Sequence, residues 1–232
     1  MSTSVLKLPF TFSEDRLLQD LSICEKESYV PHFNTNDYEG TWTSIALRSR
    51  DGEIETIFAN SIEGEFQDTP LLKQCDYFRE VVDSFLCEKE SVRLLRLAPG
   101  SMIKEHTDYC LSYDEGFFRL HVPIQTNSKL EFYIDSERVT MTPGECWYGD
   151  FGKTHSVINN GTTARVHLVM DCVRNEWSDI LFEKAGYESA KLSQKENPET
   201  QLKIIEALEL LDTEFSRSEA HKLRSALSAQ KK

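Results

Sequence analysis

The chain has 232 residues, 39% hydrophobic and 28% charged, with only 10 Gly and 7 Pro. That composition excludes a disordered, collagenous or disulfide-miniature protein, and the length suits one large domain or one domain with a small appendage. A formal net charge of -13, from 26 Lys+Arg against 39 Asp+Glu, argues against a nucleic-acid backbone as the main partner, and no stretch reaches the ~20 apolar residues of a membrane span.

In chain order, the N-terminus MSTSVLKLPFTFSEDRLL lacks the charged leader, apolar run and small-residue cleavage site of a signal peptide. A first helix is predicted after a possible N-cap at Ser13, with Leu17, Leu18, Leu21 and Cys24 at helical spacing. A second is predicted from Asp68-Thr69-Pro70, with Pro in the first turn and an apolar stripe of Leu71, Leu72, Cys75, Phe78, Val82 and Phe85. From about Val92 to Cys172 the pattern changes to short strands: VRLLRL, FFRLHVPI, KLEFYI, ERVTM, CWYGDF, HSVINN and ARVHLVMD. Turn pairs separate them, which indicates a sandwich or barrel. Two of the turns, Pro99-Gly100 and Pro143-Gly144, stand shortly before histidines and could bring them to a common mouth. After Trp177 the strands stop, and helices are predicted around Glu199 to Leu211 and Ser218 to Ala229, so the domains divide as 1–177 and a helical extension 178–232. The six cysteines (Cys24, Cys75, Cys87, Cys110, Cys146, Cys172) stand singly with no C-x-x-C, which reads as small buried hydrophobes in a cytoplasmic protein.

Four of the six histidines, His106, His121, His155 and His167, fall in the strand-rich region. In His106-Thr107-Asp108 an extended backbone points residues i and i+2 to one face, so an imidazole and a carboxylate can reach one metal ion. His155 is the natural third ligand. Two histidines and one carboxylate with open positions form the facial triad of non-haem Fe(II) oxygenases, although the same ligand types could hold zinc for hydrolysis. Arg165 lies ten residues beyond His155 across an Asn-Gly turn, read as a short hairpin that returns an arginine to the pocket. An inward guanidinium needs an anion and matches a carboxylate bidentately, which suggests a dicarboxylate cosubstrate such as 2-oxoglutarate. In FFRLHVPI, Arg119 and His121 share one strand face opposite Leu120 and Val122.

The run RLLRLAPGSMIKEHTD, then FFRLHVPIQTN, then GECWYGDFGKTHSVINNGTTARVHLVMD resembles the aspartyl/asparaginyl β-hydroxylase family, a branch of the 2-oxoglutarate/Fe(II) dioxygenases. The resemblance spans roughly Tyr29 to Trp177 and includes HFNTNDYEGTWTSIALRS. It implies a mainly β protein with flanking helices, built on a double-stranded β-helix, the cupin-like jelly roll, with iron at one mouth. It also implies His106, Asp108 and His155 as metal ligands, Arg165 on the distal carboxylate of 2-oxoglutarate, and Arg119 and His121 as the family's R-x-H strand facing that cosubstrate. The animal aspartyl hydroxylases lack a carboxylate where Asp108 stands, whereas bacterial relatives, including free-proline hydroxylases, have one. The chain therefore resembles the bacterial branch.

The implied reaction uses O2 to hydroxylate an unactivated C–H of an amino acid or amino-acid residue, releasing succinate and CO2. Arg48, Arg50, Asn127, Trp42 and Trp147 are candidate contacts for the substrate's charged ends or body. A cupin-like metalloenzyme that uses no 2-oxoglutarate and a non-catalytic jelly-roll binding module remain as alternatives.

Overall fold

The structure is a computed structural model and describes residues 2–57, 64–108, 111–189 and 224. The chain divides into two compact units, Thr3–Tyr187 and Met1–Ser2 with Glu188–Lys232. In the second unit only Ser2, Glu188, Ser189 and Arg224 are described, so the helix predicted at Glu199 to Leu211 lies outside the described residues, as does the one at Ser218 to Ala229 apart from the helical Arg224.

The first unit runs β1 (Val5–Thr11), α1 (Glu14–Cys24), β2 (Val30–Pro31), β3 (Tyr38–Glu39), β4 (Trp42–Ser49), β5 (Gln67–Asp68), α2 (Asp76–Asp83), β6 (Lys89–Leu97) and β7 (Met102–His106). It continues with β8 (Phe117–Gln125), β9 (Leu130–Ile134), β10 (Glu137–Arg138), β11 (Glu145–Gly149), β12 (His155–Asn159), β13 (Arg165–Val173) and α3 (Glu176–Ala185). Two antiparallel sheets result. The larger has the order β1-β11-β8-β13-β6-β4-β2, with β5 on β4, and the smaller has the order β10-β9-β12-β7-β3. This is the jelly roll that the resemblance implies, and one form of the sandwich or barrel that the strand pattern indicates.

Strand alternation sorts the larger sheet into two faces. Leu94, Leu120, Leu168 and Met170 pack outward against Leu17 and Leu21 of α1, Phe78 of α2 and Phe182 of α3. Burying each such side chain contributes roughly 1.5–3 kcal/mol. The inward face carries Trp42 and Leu97, which share a smaller apolar core with Ile103, Phe132, Ile134 and Val157 of the other sheet. Inward positions on the larger sheet are otherwise polar to an unusual degree: Ser44, Arg93, Arg119, His121, Arg165, His167 and Asp171. A core that admits so many polar groups is built to receive something.

Helix α1 forms as its pattern predicts, with Ser13 accepting from the Arg16 amide at 3.5 Å. The second helix differs. Leu72–Gln74 is a 3-10 turn, in which the Leu72 amide donates to Thr69 Oγ1 at 3.3 Å, and α2 begins only at Asp76. The reason lies in α1, where the buried Asp20 carboxylate accepts from the Tyr77 and Phe78 amides at 2.8 Å each and fixes the helix start. Helix α3 starts at Glu176 and runs through Trp177 within the first unit, and Asn175 and Ser178 form a reciprocal capping box at its start.

The connection from β12 to β13 is not a hairpin. Strand β12 pairs with β7 and β9, whereas β13 pairs with β6 and β8, so the Asn160–Gly161 loop crosses from one sheet to the other. Asn159 ties this crossing down by donating to Leu97 O at 3.1 Å and to Thr163 O at 3.0 Å. The outcome for Arg165 is still an inward side chain, now at the start of a central strand. Pro99–Gly100 turns β6 into β7, while Pro143–Gly144 leads into β11, and His155 arrives one loop later. Gly144 has φ +80°, and a Cβ there would fall 2.3 Å from the Phe12 carbonyl oxygen, so only glycine fits that turn.

Candidate metal centre

His106 closes β7 and His155 opens β12, and the antiparallel register sets them directly opposite each other, with ring centroids 4.1 Å apart. Asp108 follows two residues beyond β7, its amide held by the Phe151 carbonyl at 2.8 Å. One potential ligand atom from each of His106, Asp108 and His155 lies within 4.8 Å of the others, the one such group among the described residues.

Hydrogen bonds fix how the two imidazoles can act. His106 Nδ1 lies 2.8 Å from the Lys104 carbonyl and His155 Nδ1 lies 3.0 Å from the Lys153 carbonyl. A carbonyl only accepts, so each Nδ1 carries the proton and each Nε2 is a bare lone pair. His106 Nε2 stands 3.7 Å from Asp108 Oδ1. Burial moves His155 down to about 4, against the raising effect of the Lys153 carbonyl, so the ring is neutral at ordinary pH. Burial raises Asp108, but the neighbouring Arg119 guanidinium and the two histidines outweigh it and hold the carboxylate below its usual range. Two neutral imidazole nitrogens and one carboxylate, with backbone carbonyls orienting the rings, suit a first-row divalent metal.

Arg119 is engaged on two sides. It donates from Nη1 to Asp108 Oδ2, and from Nε and Nη2 to the two oxygens of Asp171 at 2.6 and 3.2 Å. Asp171 also accepts from Arg93 Nη2 and, at 2.9 Å, from Ser91 Oγ. Its carboxylate, raised by burial but more strongly lowered by the two arginines, is held well below the usual range. Asp171 escaped the sequence reading. The available signal was its parity with Arg165 and His167 on an otherwise apolar strand.

Arg165 has the opposite surroundings. It is 1% exposed, its Nε has no partner, and no carboxylate pairs with it among the described residues. Burial alone lowers its pKa to about 9, and its guanidinium lies 5.3 Å from the Phe132 ring centroid. Phe132 also meets His121 at 6.0 Å between centroids, His121 stacks on Phe151 at 4.9 Å, and Phe151 meets His155 edge-on at 4.9 Å. A continuous aromatic path thus joins the unpaired cation to the triad.

Among the candidate substrate contacts, Arg48 pairs with Asp68 at 2.6 Å, and Arg50 donates to the Gly64 carbonyl at 3.0 Å. Asn127 braces the crossing loop, and the Trp147 indole N–H is held by Glu145 at 2.9 Å. Trp42 alone faces the triad. Its ring is stacked on His32 at 3.5 Å and lies 6.4 Å from His106, and its buried N–H has no partner. His32, lowered to about 4 by burial and then by Arg93, was not singled out by sequence and forms part of the same wall.

Among the described residues no helix is long and apolar enough to cross a membrane. The chain is 30% identical, over 198 residues, to an L-proline cis-4-hydroxylase of Rhizobium meliloti (strain 1021). The match covers 84% of this chain, which spans 66% of that relative's length. Among solved structures it is similar to an oxidoreductase of the 2OG-Fe(II) oxygenase family from Burkholderia pseudomallei, at 15% identity and a TM-score of 0.51, covering 74% of this chain and 86% of that one. At that identity the likeness concerns the fold. The aspartyl/asparaginyl β-hydroxylase family matches residues 13–175, which take in every strand from β2 to β13 and all three triad residues. The chain belongs to the aspartyl/asparaginyl β-hydroxylase family.

Proposed function

We propose that this protein is an Fe(II)- and 2-oxoglutarate-dependent dioxygenase that hydroxylates an unactivated C–H of a free amino acid, with L-proline the first compound to test. The observation that carries the reading is the pairing of an oriented His106–Asp108–His155 triad with a buried Arg165 that lacks an anion inside the same jelly roll. Burying a guanidinium without a partner costs several kcal/mol, on the order of the penalty for one unpaired ion, and a dicarboxylate cosubstrate offsets it.

His106 and His155 would hold the metal through Nε2 and Asp108 through a carboxylate oxygen, while Arg165 would take the far carboxylate of 2-oxoglutarate as a planar fork. Bound there, iron and 2-oxoglutarate supply oxidative activation of O2, giving succinate, CO2 and a hydroxylated carbon. The protein's own part is positional. Asp171 and Arg119 hold Asp108 toward the two imidazoles, and Phe132, Phe151 and Leu97 exclude water from the interior. Trp42 and His32 form the wall beside His106 against which a small substrate would lie. No side chain is required as an acid or base for C–H cleavage. The R. meliloti relative's name supports a free amino acid over a peptide, as does the intact carboxylate at Asp108.

A cytoplasmic location fits the five cysteines among the described residues, all free and buried, with the Cys24 and Cys75 sulfurs 3.6 Å apart. The test of function is succinate formation by the Fe(II)-loaded protein with 2-oxoglutarate and O2 across a panel of free L-amino acids and Asp- or Asn-containing peptides. Succinate matched by a product one oxygen heavier with L-proline or another free amino acid is expected. Turnover on peptides alone would overturn the substrate class, and no 2-oxoglutarate consumption by iron-replete protein would overturn the reaction.

A further inference from the structure

His121 and His167 meet inside the jelly roll, with Nδ1 to Nδ1 at 3.0 Å. They are 3% and 0% exposed, and neither Nε2 has a partner. An Nδ1···Nδ1 hydrogen bond between neutral rings holds one proton. The ring that donates it therefore keeps a bare Nε2, and the ring that accepts it must carry its own proton on Nε2. Both rings are neutral, lowered by burial and next by the Arg165 charge. The pair is thus locked as opposite tautomers and presents one buried N–H donor and one buried lone pair.

The register says where these groups face. His167 is the next residue after Arg165 on the same face of β13, and it aligns across the sheet with Leu95 and then Ser44. Ser44 is 1% exposed and its hydroxyl has no partner. Arg165, His167, Ser44 and His121 therefore give four buried polar groups with unsatisfied hydrogen-bonding capacity on one inward surface. Unmet capacity on that scale is uncommon in native interiors and marks a ligand site.

We propose that His167 is a further cosubstrate-binding residue, whose Nε2–H donates to the carboxylate held by Arg165 while His121 holds it in that tautomer through Nδ1–H. The ligand class is a short dicarboxylate whose far end is anionic. His167, rather than His121, is the donor because it shares the strand and the face of Arg165 at the adjacent inward position, so one carboxylate reaches both. This inference rests on Arg165 being the anchor of 2-oxoglutarate.

The test is calorimetric binding of two 2-oxo acids to Mn(II)-loaded protein: 2-oxoglutarate, and 2-oxobutanoate, which keeps the chelating head and lacks the far carboxylate. His167→Leu should weaken 2-oxoglutarate by about ten- to a hundredfold, the range for a hydrogen bond to a charged group, and leave 2-oxobutanoate unchanged. His167→Gln, whose amide nitrogen reaches the Nε2 position, should recover most of the loss. Equal weakening of both acids, or of neither, would overturn the proposal. A wild-type protein that binds the two acids equally would instead overturn the role of Arg165 on which it depends. Nitrogen-15 histidine NMR of the wild-type protein provides a reading free of any folding defect. One Nε2–H and one Nδ1–H tautomer are expected for this pair, with the Nε2–H signal lost in His167→Gln, and two like tautomers would refute the lock.

Discussion

Replacing Asp171 tests the account at a residue that touches neither metal nor cosubstrate. Its side chain is 7% exposed and accepts from Arg93, Arg119 and Ser91, so Asp171→Asn leaves two buried guanidinium groups facing a neutral amide. Removing one partner of a buried ion pair costs about 3–5 kcal/mol, mostly from the charge left behind. With a urea m-value of about 2 kcal/mol/M, the unfolding midpoint should fall by roughly 2 M. The half-exposed Arg174–Asp179 pair is the control, and Asp179→Asn should cost at most about 1 kcal/mol. A second effect follows from geometry. Arg119 bridges Asp171 to Asp108, so loss of Asp171 lets Arg119 reorient the carboxylate proposed to bind the metal and should weaken metal binding about 10–100-fold. Urea denaturation of metal-free protein and equilibrium dialysis with Mn(II) measure the two effects separately. A stability loss under about 1 kcal/mol, or metal binding unchanged in the folded variant, would refute the bridging role.

Asp108→Ala should abolish most turnover and metal retention while changing the stability of metal-free protein far less than Asp171→Asn, because Arg119 keeps Asp171 as partner; full activity would show that water serves in its place. Arg165→Met should raise the urea midpoint of ligand-free protein, since a buried unpaired cation becomes an apolar chain of similar length, and should weaken 2-oxoglutarate binding by about 1.5–3 kcal/mol. A variant that is destabilised yet binds 2-oxoglutarate normally would contradict both halves. The pH dependence of stability follows from His121 and His167, whose folded pKa values lie well below 6.5, with His32 and His155, lowered to about 4, acting in the same direction. Only the unfolded chain takes up these protons just below that pH, so their contribution is complete above it and is lost on acidification, approaching about 2.7 kcal/mol per pH unit for His121 and His167 alone. Urea midpoints that stay flat from pH 8 to pH 5.5 in metal-free protein would contradict this.

The candidate triad is legible in the sequence because its grouping relies on short-range rules. His106 and Asp108 are two residues apart, at the end of β7 and just beyond it, and His155 opens a recognisable strand. The first helix was legible for the same reason, since cap and apolar spacing agree locally. Strands β1 and β4 were not separated from their surroundings. Their pairing with β11 and β6 is long-range, and Val5–Thr11 has only a brief alternation to announce it. The start of α2 was misplaced because it depends on Asp20, more than fifty residues earlier. The Asn-Gly signal predicts a hairpin, but a turn signal does not say which sheet the chain enters next. The strand alternation puts Arg119 on one face with His121, but its commitment to Asp108 and Asp171 depends on β8, β13 and the loop after β7 coming together.

The central claim is that His106, Asp108 and His155 bind one metal whose open positions face a 2-oxoglutarate anchored by Arg165. Anaerobic titration measures it most directly: Fe(II) into metal-free protein, then 2-oxoglutarate into the Fe(II) form, for wild type, His155→Ala and Arg165→Met. The account predicts one Fe(II) per wild-type chain and one 2-oxoglutarate per Fe(II). It also predicts no retained iron in His155→Ala, and iron without tight 2-oxoglutarate in Arg165→Met. Iron bound equally well without His155, or 2-oxoglutarate bound equally well without Arg165, would contradict it.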